Sequence, residues 1–486
     1  MKRLAGSDAG FLFIESPTQT SVCVDVVEIG LAADGRGPLQ LHELRDHLAS
    51  RLDRVEPFRW RLERVPLGLA HPIWIEDPDF DLGYHVREVT VDAPGSDADL
   101  DRLIAGQLGG LLDLRHPLWQ VVLVHGLAGG RQAILFRVHH ATADGEALVS
   151  TVNALFDDGE EAPLRTGASE TDRLRPPGRV ALVIDALRTQ LKALIGLPAL
   201  LVLTMRRFRS VEERRKAAPV QVPRFANDAP PTILNNSASA DRTYARTRLS
   251  LADLRDVKNA AGTTLPDVIL AVVSGALRRY LTMADALPDQ SLVVNVPMAR
   301  DFDGSSSRVT GNIFTNYYAQ LGTDIADPRA RLAAISAATE ESKVQLDLQG
   351  HDTLPRWLDR IPPAIAEPAA RAMARRSRDG TKAPDFNVLV SNMRVPDRRW
   401  SIGTRPVTRL TMSGPIADGA GLNITLTGWD PYMDVAINAN PAAVERPQEL
   451  AALIQGSLAE LVGAFDLRAV HEPPTTGAVT SASSER

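Results

Sequence analysis

Cysteine is almost missing: the 486 residues include one, Cys23. A single thiol excludes an intrachain disulfide framework and a multi-cysteine metal site, and it fits a reducing compartment. The ten histidines contain no HExxH pair, and neither a GxSxG elbow nor a Walker loop occurs. Zincin, serine-hydrolase and P-loop chemistry therefore lack their signatures, and no metal is expected. Positive charge is not in excess: the formal net charge of −6 argues against a nucleic-acid surface. No unbroken apolar run reaches the ~18 residues of a transmembrane helix. The N-terminal residues, Met1 to Asp8, lack an apolar signal core, which predicts a cytoplasmic chain. Hydrophobic content of 44% and charged content of 23% are ordinary for a globular protein, and the length predicts two large domains or more.

Against these absences one stretch stands out: His139-His140-Ala141-Thr142-Ala143-Asp144-Gly145. Residues 134–138 before it read as a buried strand. Residues 146–158 after it read as a helix, with Leu148, Val152, Leu155 and Phe156 at helical spacing. The histidines thus sit where a strand ends and a helix has not begun. Adjacent extended residues point to opposite sides, so one imidazole is expected to work and the other to pack or hydrogen-bond. A neutral imidazole can take a proton from an alcohol near neutral pH. Asp144 is expected to order the turn through backbone hydrogen bonds or a buried Arg partner. Gly145 is expected to leave room and allow a positive φ at the helix entrance.

Along the chain, Ser7 or Asp8 is expected to cap a short helical turn that packs Phe11 and Leu12. Residues 22–29, 58–65, 72–75 and 84–86 read as extended, 39–52 as an amphipathic helix, and His85 as a structural histidine. Residues 121–124 and 134–138 read as a hairpin around Ala128-Gly129-Gly130. Residues 159–177 read as a linker, and 180–191 as helical. Residues 193–205 form an apolar run of thirteen, broken by Gly196 and Pro198 and followed by Arg206, Arg207, Arg209, Arg214, Arg215 and Lys216. That pattern suits an interfacial membrane segment or a buried connecting helix with a basic end. In the second half, 243–249, 292–296 and 386–392 read as strands. Residues 251–260, 327–346, 447–466 and a stretch from Thr264 read as helices. Residues 471–486, rich in Thr, Ser and Pro, are expected to be disordered. The boundaries are 1–158, a linker region over 159–240, 241–468, and a tail over 469–486.

The central stretch resembles the HHxxxDG signature of acyltransferases built on the chloramphenicol acetyltransferase fold. Other stretches are similar to the bacterial wax ester synthase/diacylglycerol acyltransferases, in the same order. They are the opening through Asp8-Ala9 and Phe11, Pro117-Leu118-Trp119, Pro230-Pro231-Thr232 with Asn235, Pro297 to Arg300, and Gly311-Asn312. Asn387 with Ser391-Asn392, Gly414-Pro415 and Gly421-Leu422-Asn423 complete the series. The chain departs from the pattern at Pro266-Asp267, where the family commonly has Asn-Asp. The resemblance covers about residues 4–465 and implies an α/β chain of two chloramphenicol acetyltransferase-like lobes. Each lobe would be a mixed sheet flanked by helices, with the active-site channel between them. It implies transfer of a long-chain fatty acyl group from acyl-CoA, as co-substrate and without a cofactor. The acceptor would be the hydroxyl of diacylglycerol or of a long-chain alcohol. His140 would be the base, His139 and Asp144 would hold the site, and Gly145 would allow the turn. Pro117, Trp119, Asp267, Asn312, Asn387, Ser391 and Asn392 would line the substrates. Asn and Ser at strand ends are suitable donors to an oxyanion. Arg300 would be the buried partner of Asp144. Location on the inner membrane face or lipid droplets fits such substrates. A carrier-protein-dependent condensation and a non-catalytic lipid-binding homologue are the other readings compatible with the motif.

Overall fold

The computed structural model describes residues 2–157, 177–224, 228–237, 239–299, 308–396 and 398–467. Most of the expected linker 159–177, Arg300 and the expected disordered tail lie outside them. In chain order the strands are β1 (Lys2–Arg3), β2 (Val22–Ile29), β3 (Trp60–Glu63), β4 (Ile73–Glu76), β5 (Val86–Thr90), β6 (Trp119–His125), β7 (Gln132–His139) and β8 (Thr243–Ser250). They continue with β9 (Val293–Ala299), β10 (Phe314–Gln320), β11 (Val388–Arg394), β12 (Ser401–Ile402), β13 (Arg405–Ser413), β14 (Leu422–Trp429) and β15 (Tyr432–Ala439). The helices are α1 (Gly6–Ile14), α2 (Leu41–Ala49), α3 (Leu82–His85), α4 (Asp97–Gly109), α5 (Gly145–Leu155) and α6 (Arg179–Ala217). After them come α7 (Leu251–Ala261), α8 (Leu265–Met283), α9 (Pro328–Gln349), α10 (Thr353–Leu358), α11 (Pro363–Arg378) and α12 (Pro447–Ala464).

Two six-stranded mixed sheets organise the chain. The first has the order β12-β13-β2-β7-β6-β5, the second β10-β9-β11-β14-β15-β8. In the first, β2 and β7 are antiparallel with Val22 opposite His139, and β5 runs parallel to β6. All eight residues of β2 and of β7 are buried, which is why both read as near-continuous apolar runs. Cys23, Val27, Ile134, Phe136 and Val138 face α5 and α2, while Val22, Val24, Val26 and Leu135 face α4. The second sheet is covered by α7, α8, α9 and α12 around Leu270, Val273, Ile424, Val435 and Ile454.

Several expectations shift. The boundary at 241 does not separate the lobes, because β13 leaves the second half and pairs with β2, Met412 opposite Asp25. The junction is charged. Arg246 of β8, its side chain 2% exposed, is 2.6 Å from both Glu28 and Asp101, and Arg409 is 2.6 Å from Asp434. Burial alone would raise the Glu28 carboxyl, but Arg246, Arg409 and Arg131 hold it below the usual range. Residues 84–86 are not wholly extended: α3 ends at His85, and β5 starts at Val86. The helix at 6–14 is not capped by Ser7 or Asp8; Ala5 stands at the cap without a side-chain bond. The apolar run 193–205 is not broken either. Gly196 and Pro198 lie inside the 39-residue α6. Among the described residues α6 is the one single helix that by length and composition alone could cross a membrane, and its apolar window is only 11% buried against the protein; α7 and α8 pass the same measure only as a pair bent by 106°.

Candidate active site

The turn after β7 is built by its own caps and by a segment from the second half. Asp144 caps α5, its Oδ1 accepting from Ala147 N at 3.0 Å. Thr142 N donates to His139 O at 2.9 Å, and His140 N donates to Ser21 O at 2.7 Å. Gly311 N donates to Thr142 O at 2.7 Å, and Asp144 N to Gly311 O at 3.2 Å. The side chain of Arg308 completes this clamp. Its Nη2 donates to both Asp144 oxygens, at 3.0 and 2.9 Å, and its Nη1 to Gly311 O at 2.6 Å. Ile313 N gives Asp144 Oδ2 another bond at 2.8 Å. Arg308 thus occupies the place expected of Arg300, and sequence reasoning missed it.

The two imidazoles have different surroundings. His139 is fully buried. Its Nδ1 accepts from Ala141 N at 3.0 Å, so Nε2 carries the proton and donates to Glu15 Oε1 at 3.2 Å. His140 is partly exposed. Its Nδ1 lies 2.9 Å from Oδ1 of Asn312. The orientation of that amide is set by its other end, because Nδ2 donates to His140 O at 2.8 Å and to Asp8 Oδ1 at 2.9 Å. Oδ1 can only accept, so His140 Nδ1 is the protonated nitrogen. Among the described residues Nε2 has no hydrogen-bond partner. Phe11 stacks on the ring at 4.1 Å and 11°, and Phe314 lies tilted at 5.9 Å. Burial lowers the His140 pKa below its usual value, against the opposing pull of Asp144 and Asn312. Burial also raises the Asp8 carboxyl to about 6, against the two Asn312 bonds.

Phe11, Asn312 and Phe314, all in contact with His140, also line a cavity of about 550 Å³. Phe208 and Arg215 of α6, Leu346 of α9 and Leu354 of α10 add to its wall, but His140 does not. That is a mostly apolar space next to a base.

Of the other residues expected at the site, Asn312 is there and several are elsewhere. Trp119 is 1% exposed, stacked between Phe58 and His85, and its Nε1 donates to Phe58 O at 2.7 Å. It packs the core, and Pro117 beside it is buried. Asp267 forms the capping box of α8 with Thr264 and accepts from Thr339 at 2.6 Å, a structural role that Pro266 at the first turn leaves intact. Asn387 is fully buried and spent on Pro230 O, Asn235 and Val293 N. Ser391 and Asn392 lie on β11 next to Met393, whose Cε a Cβ on Gly145 would meet at 2.3 Å. Gly145 therefore leaves room for the end of the Met393 side chain; its φ is not positive. Asp8 was legible as a candidate cap and as part of the opening segment, and Glu15 carried no signal of its own.

The family profile described as the wax ester synthase/diacylglycerol acyltransferase catalytic domain matches residues 4–269, and that of the WS/DGAT C-terminal domain matches 310–462. Two proteins of Mycobacterium tuberculosis, named provisionally as diacylglycerol O-acyltransferases, are similar over nearly their whole lengths. One is 32% identical over 95% of both chains, the other 33% identical over 98% of this chain and all of the relative. The wax ester synthase/diacylglycerol acyltransferase from Marinobacter aquaeolei VT8 shares the fold. Its TM-score is 0.67 at 23% identity, over 96% of this chain and 100% of that one. The first condensation domain of the calcium-dependent antibiotic synthetase shares it more distantly, with a TM-score of 0.59 at 17% identity over 96% of both. Two linked lobes of this fold, a buried turn that presents one histidine, and these matches over nearly every residue place the chain in the wax ester synthase/diacylglycerol acyltransferase family.

Proposed function

We propose that the protein transfers a long-chain fatty acyl group from acyl-CoA to a hydroxyl, that of diacylglycerol or of a long-chain alcohol. The names of the M. tuberculosis relatives favour diacylglycerol. The observation that carries the reading is the geometry at His140: Nδ1 faces the accepting Oδ1 of Asn312, among the described residues Nε2 has no hydrogen-bond partner, and burial lowers the pKa of the ring. Nε2 takes the hydroxyl proton as the oxygen attacks the thioester carbon. The tetrahedral intermediate collapses, the C–S bond breaks, and the imidazolium returns its proton to the CoA sulfur. No acyl-enzyme is needed, and Cys23, buried in β2, is not placed to form one. Acyl-CoA is a co-substrate and no further cofactor is invoked. Ser391 and Asn392 are the remaining side-chain candidates at the substrates from the sequence pattern.

The test is turnover of labelled palmitoyl-CoA with dioleoylglycerol or hexadecanol, with His140→Ala alongside. Labelled triacylglycerol or wax ester that falls at least about 100-fold in the variant is expected. Folded native protein that acylates neither acceptor would refute the proposal.

Such substrates reside in lipid, and α6 suits a lipid surface. Val180, Ile184, Leu187, Leu191, Leu194, Leu201, Met205 and Phe208 recur on it at three- and four-residue steps, with Pro198 in the one skipped step, and all are exposed. Over 179–211 the helix carries Arg179, Arg188, Lys192, Arg206, Arg207 and Arg209 against the single acid Asp185. An apolar stripe with basic flanks lies flat on an anionic bilayer. Flotation with vesicles containing about one-third phosphatidylglycerol is expected to carry the native chain and to lose Leu194→Asp/Leu201→Asp. Equal flotation of both proteins would remove α6 from this role.

A further inference from the structure

We infer that Asp8 is a positioning residue for the reaction: its carboxylate fixes the Asn312 amide in the one orientation that leaves His140 Nε2 as the base. The inference rests on the proposed role of His140 and adds a residue outside the HHxxxDG turn.

Asp8 lies on α1, more than three hundred positions before Asn312, and is buried. Its Oδ1 accepts from Asn312 twice, from the backbone N at 3.1 Å and from Nδ2 at 2.9 Å. The second Nδ2 hydrogen goes to His140 O at 2.8 Å. Both amide hydrogens are therefore engaged, and Oδ1 is left to face His140 Nδ1 at 2.9 Å.

An amide is nearly symmetric in shape, so packing alone does not choose between its two orientations. Flipped, Asn312 would present Nδ2–H to His140 Nδ1. That nitrogen would have to accept, the imidazole proton would move to Nε2, and the base would lose its lone pair. Flipping would also turn Oδ1 toward the Asp8 carboxylate and the His140 carbonyl, where an oxygen meets two acceptors. Asp8, together with the His140 carbonyl, thus decides through Asn312 which imidazole nitrogen can take a proton.

The role is carried by an acceptor oxygen more than by charge. Asn at position 8 can place its own Oδ1 where the carboxylate oxygen sits, whereas Ala cannot. The experiment is imidazole ¹⁵N NMR on the histidine-labelled full chain, native, Asp8→Asn and Asp8→Ala, with steady-state kinetics on the same samples and on Asn312→Ala and the double variant. Native and Asp8→Asn are expected to show the His140 proton on Nδ1 and kcat values within about threefold of each other. Asp8→Ala is expected to show proton on Nε2 in part or whole, and kcat lower by about 10- to 100-fold with KM for acyl-CoA within twofold. Asp8→Ala/Asn312→Ala should be no slower than Asn312→Ala alone, because the two act as one unit. An Nδ1-protonated His140 and native kcat in Asp8→Ala would overturn the inference, as would slowdowns that multiply in the double variant. If Asp8→Ala does not fold, Asp8→Asn decides: a shifted tautomer or a collapsed kcat there is equally fatal. The tautomer needs no turnover, so an inactive native chain with the expected spectra would sink the proposed reaction, whereas native turnover with an unchanged tautomer in Asp8→Ala would sink the role of Asp8 alone.

Discussion

Arg308→Met tests the clamp on the HHxxxDG turn. The Asp144 carboxylate is 5% exposed and takes four bonds: two from Arg308, one from Ala147 N and one from Ile313 N. Methionine keeps the length of the side chain and removes the fork, leaving a buried carboxylate with two backbone donors. Removing one partner of a buried ion pair costs about 3–5 kcal/mol. The Arg308 side chain is 15% exposed, so water recovers part of that, and about 3 kcal/mol remains. For lobes of this size each kcal/mol moves the melting temperature by about 2–4 °C, so a fall of roughly 6–12 °C is expected in a thermal scan. Arg308 also ties Gly311 to the turn, so turnover should fall as well. The second half of the cycle is Asp144→Asn/Arg308→Met, in which no buried charge is left unpaired. It should melt above Arg308→Met, since the single variant bears the orphaned charge and the double does not. A melting temperature unchanged in Arg308→Met, or a double variant less stable by the sum of the two singles, would refute the reasoning.

Gly145→Ala should cost no more than about 1 kcal/mol in a denaturant titration, because the atom its Cβ would meet at 2.3 Å is Met393 Cε, the free end of a flexible side chain that can turn aside; a larger loss would contradict this. Trp119→Phe should lower stability by about 1–3 kcal/mol through the orphaned Phe58 carbonyl while KM for both substrates stays put; a raised KM with native stability would return Trp119 to the substrate site. The pH dependence follows from His140. Its pKa is lowered in the fold, so the ring must be neutral to act and kcat/KM should hold as pH falls past the usual histidine value, then drop at lower pH. The same shift costs stability on the acid side: the unfolded ring binds its proton first, so stability declines as pH falls through the unfolded value. An acid limb of kcat/KM above pH 7 would contradict this assignment.

The strand–turn–helix around the histidines was legible because its signals are local. An apolar run before, a capping Asp, and apolar residues at helical spacing after it all lie within about twenty positions. Arg308 was not, since nothing in the sequence says which of the two arginines near Gly311, Arg300 or Arg308, meets a carboxylate 164 residues before Arg308. Asp8 misled for a related reason: an acid near the start of a helix reads as a cap, and only the tertiary fold shows that its carboxylate leaves the helix for Asn312. Pro-Leu-Trp drew attention as a motif, yet the pattern reflects a Trp that fits between Phe58 and His85. Gly196 and Pro198 read as breaks, but the residues around them are strong helix formers, and contacts with α9 and α10 hold one side of α6 in place. The strand at 405–413 carried no clear period and was not anticipated; its alternate arginine, threonine and apolar residues make sense only against β2.

That strand has a consequence for how such chains can be cut or recombined. β13 supplies the neighbour on one edge of β2, six of its residues in register with Val24 to Ile29. A fragment ending before it would leave β2 with a bare row of amides and carbonyls, an open seam for self-association. A chimera joining the front of one relative to the back of another would need its borrowed strand to match a foreign β2, side chain by side chain. The halves are therefore inherited together: a change at Glu28 or Asp25 is read by residues nearly four hundred positions away.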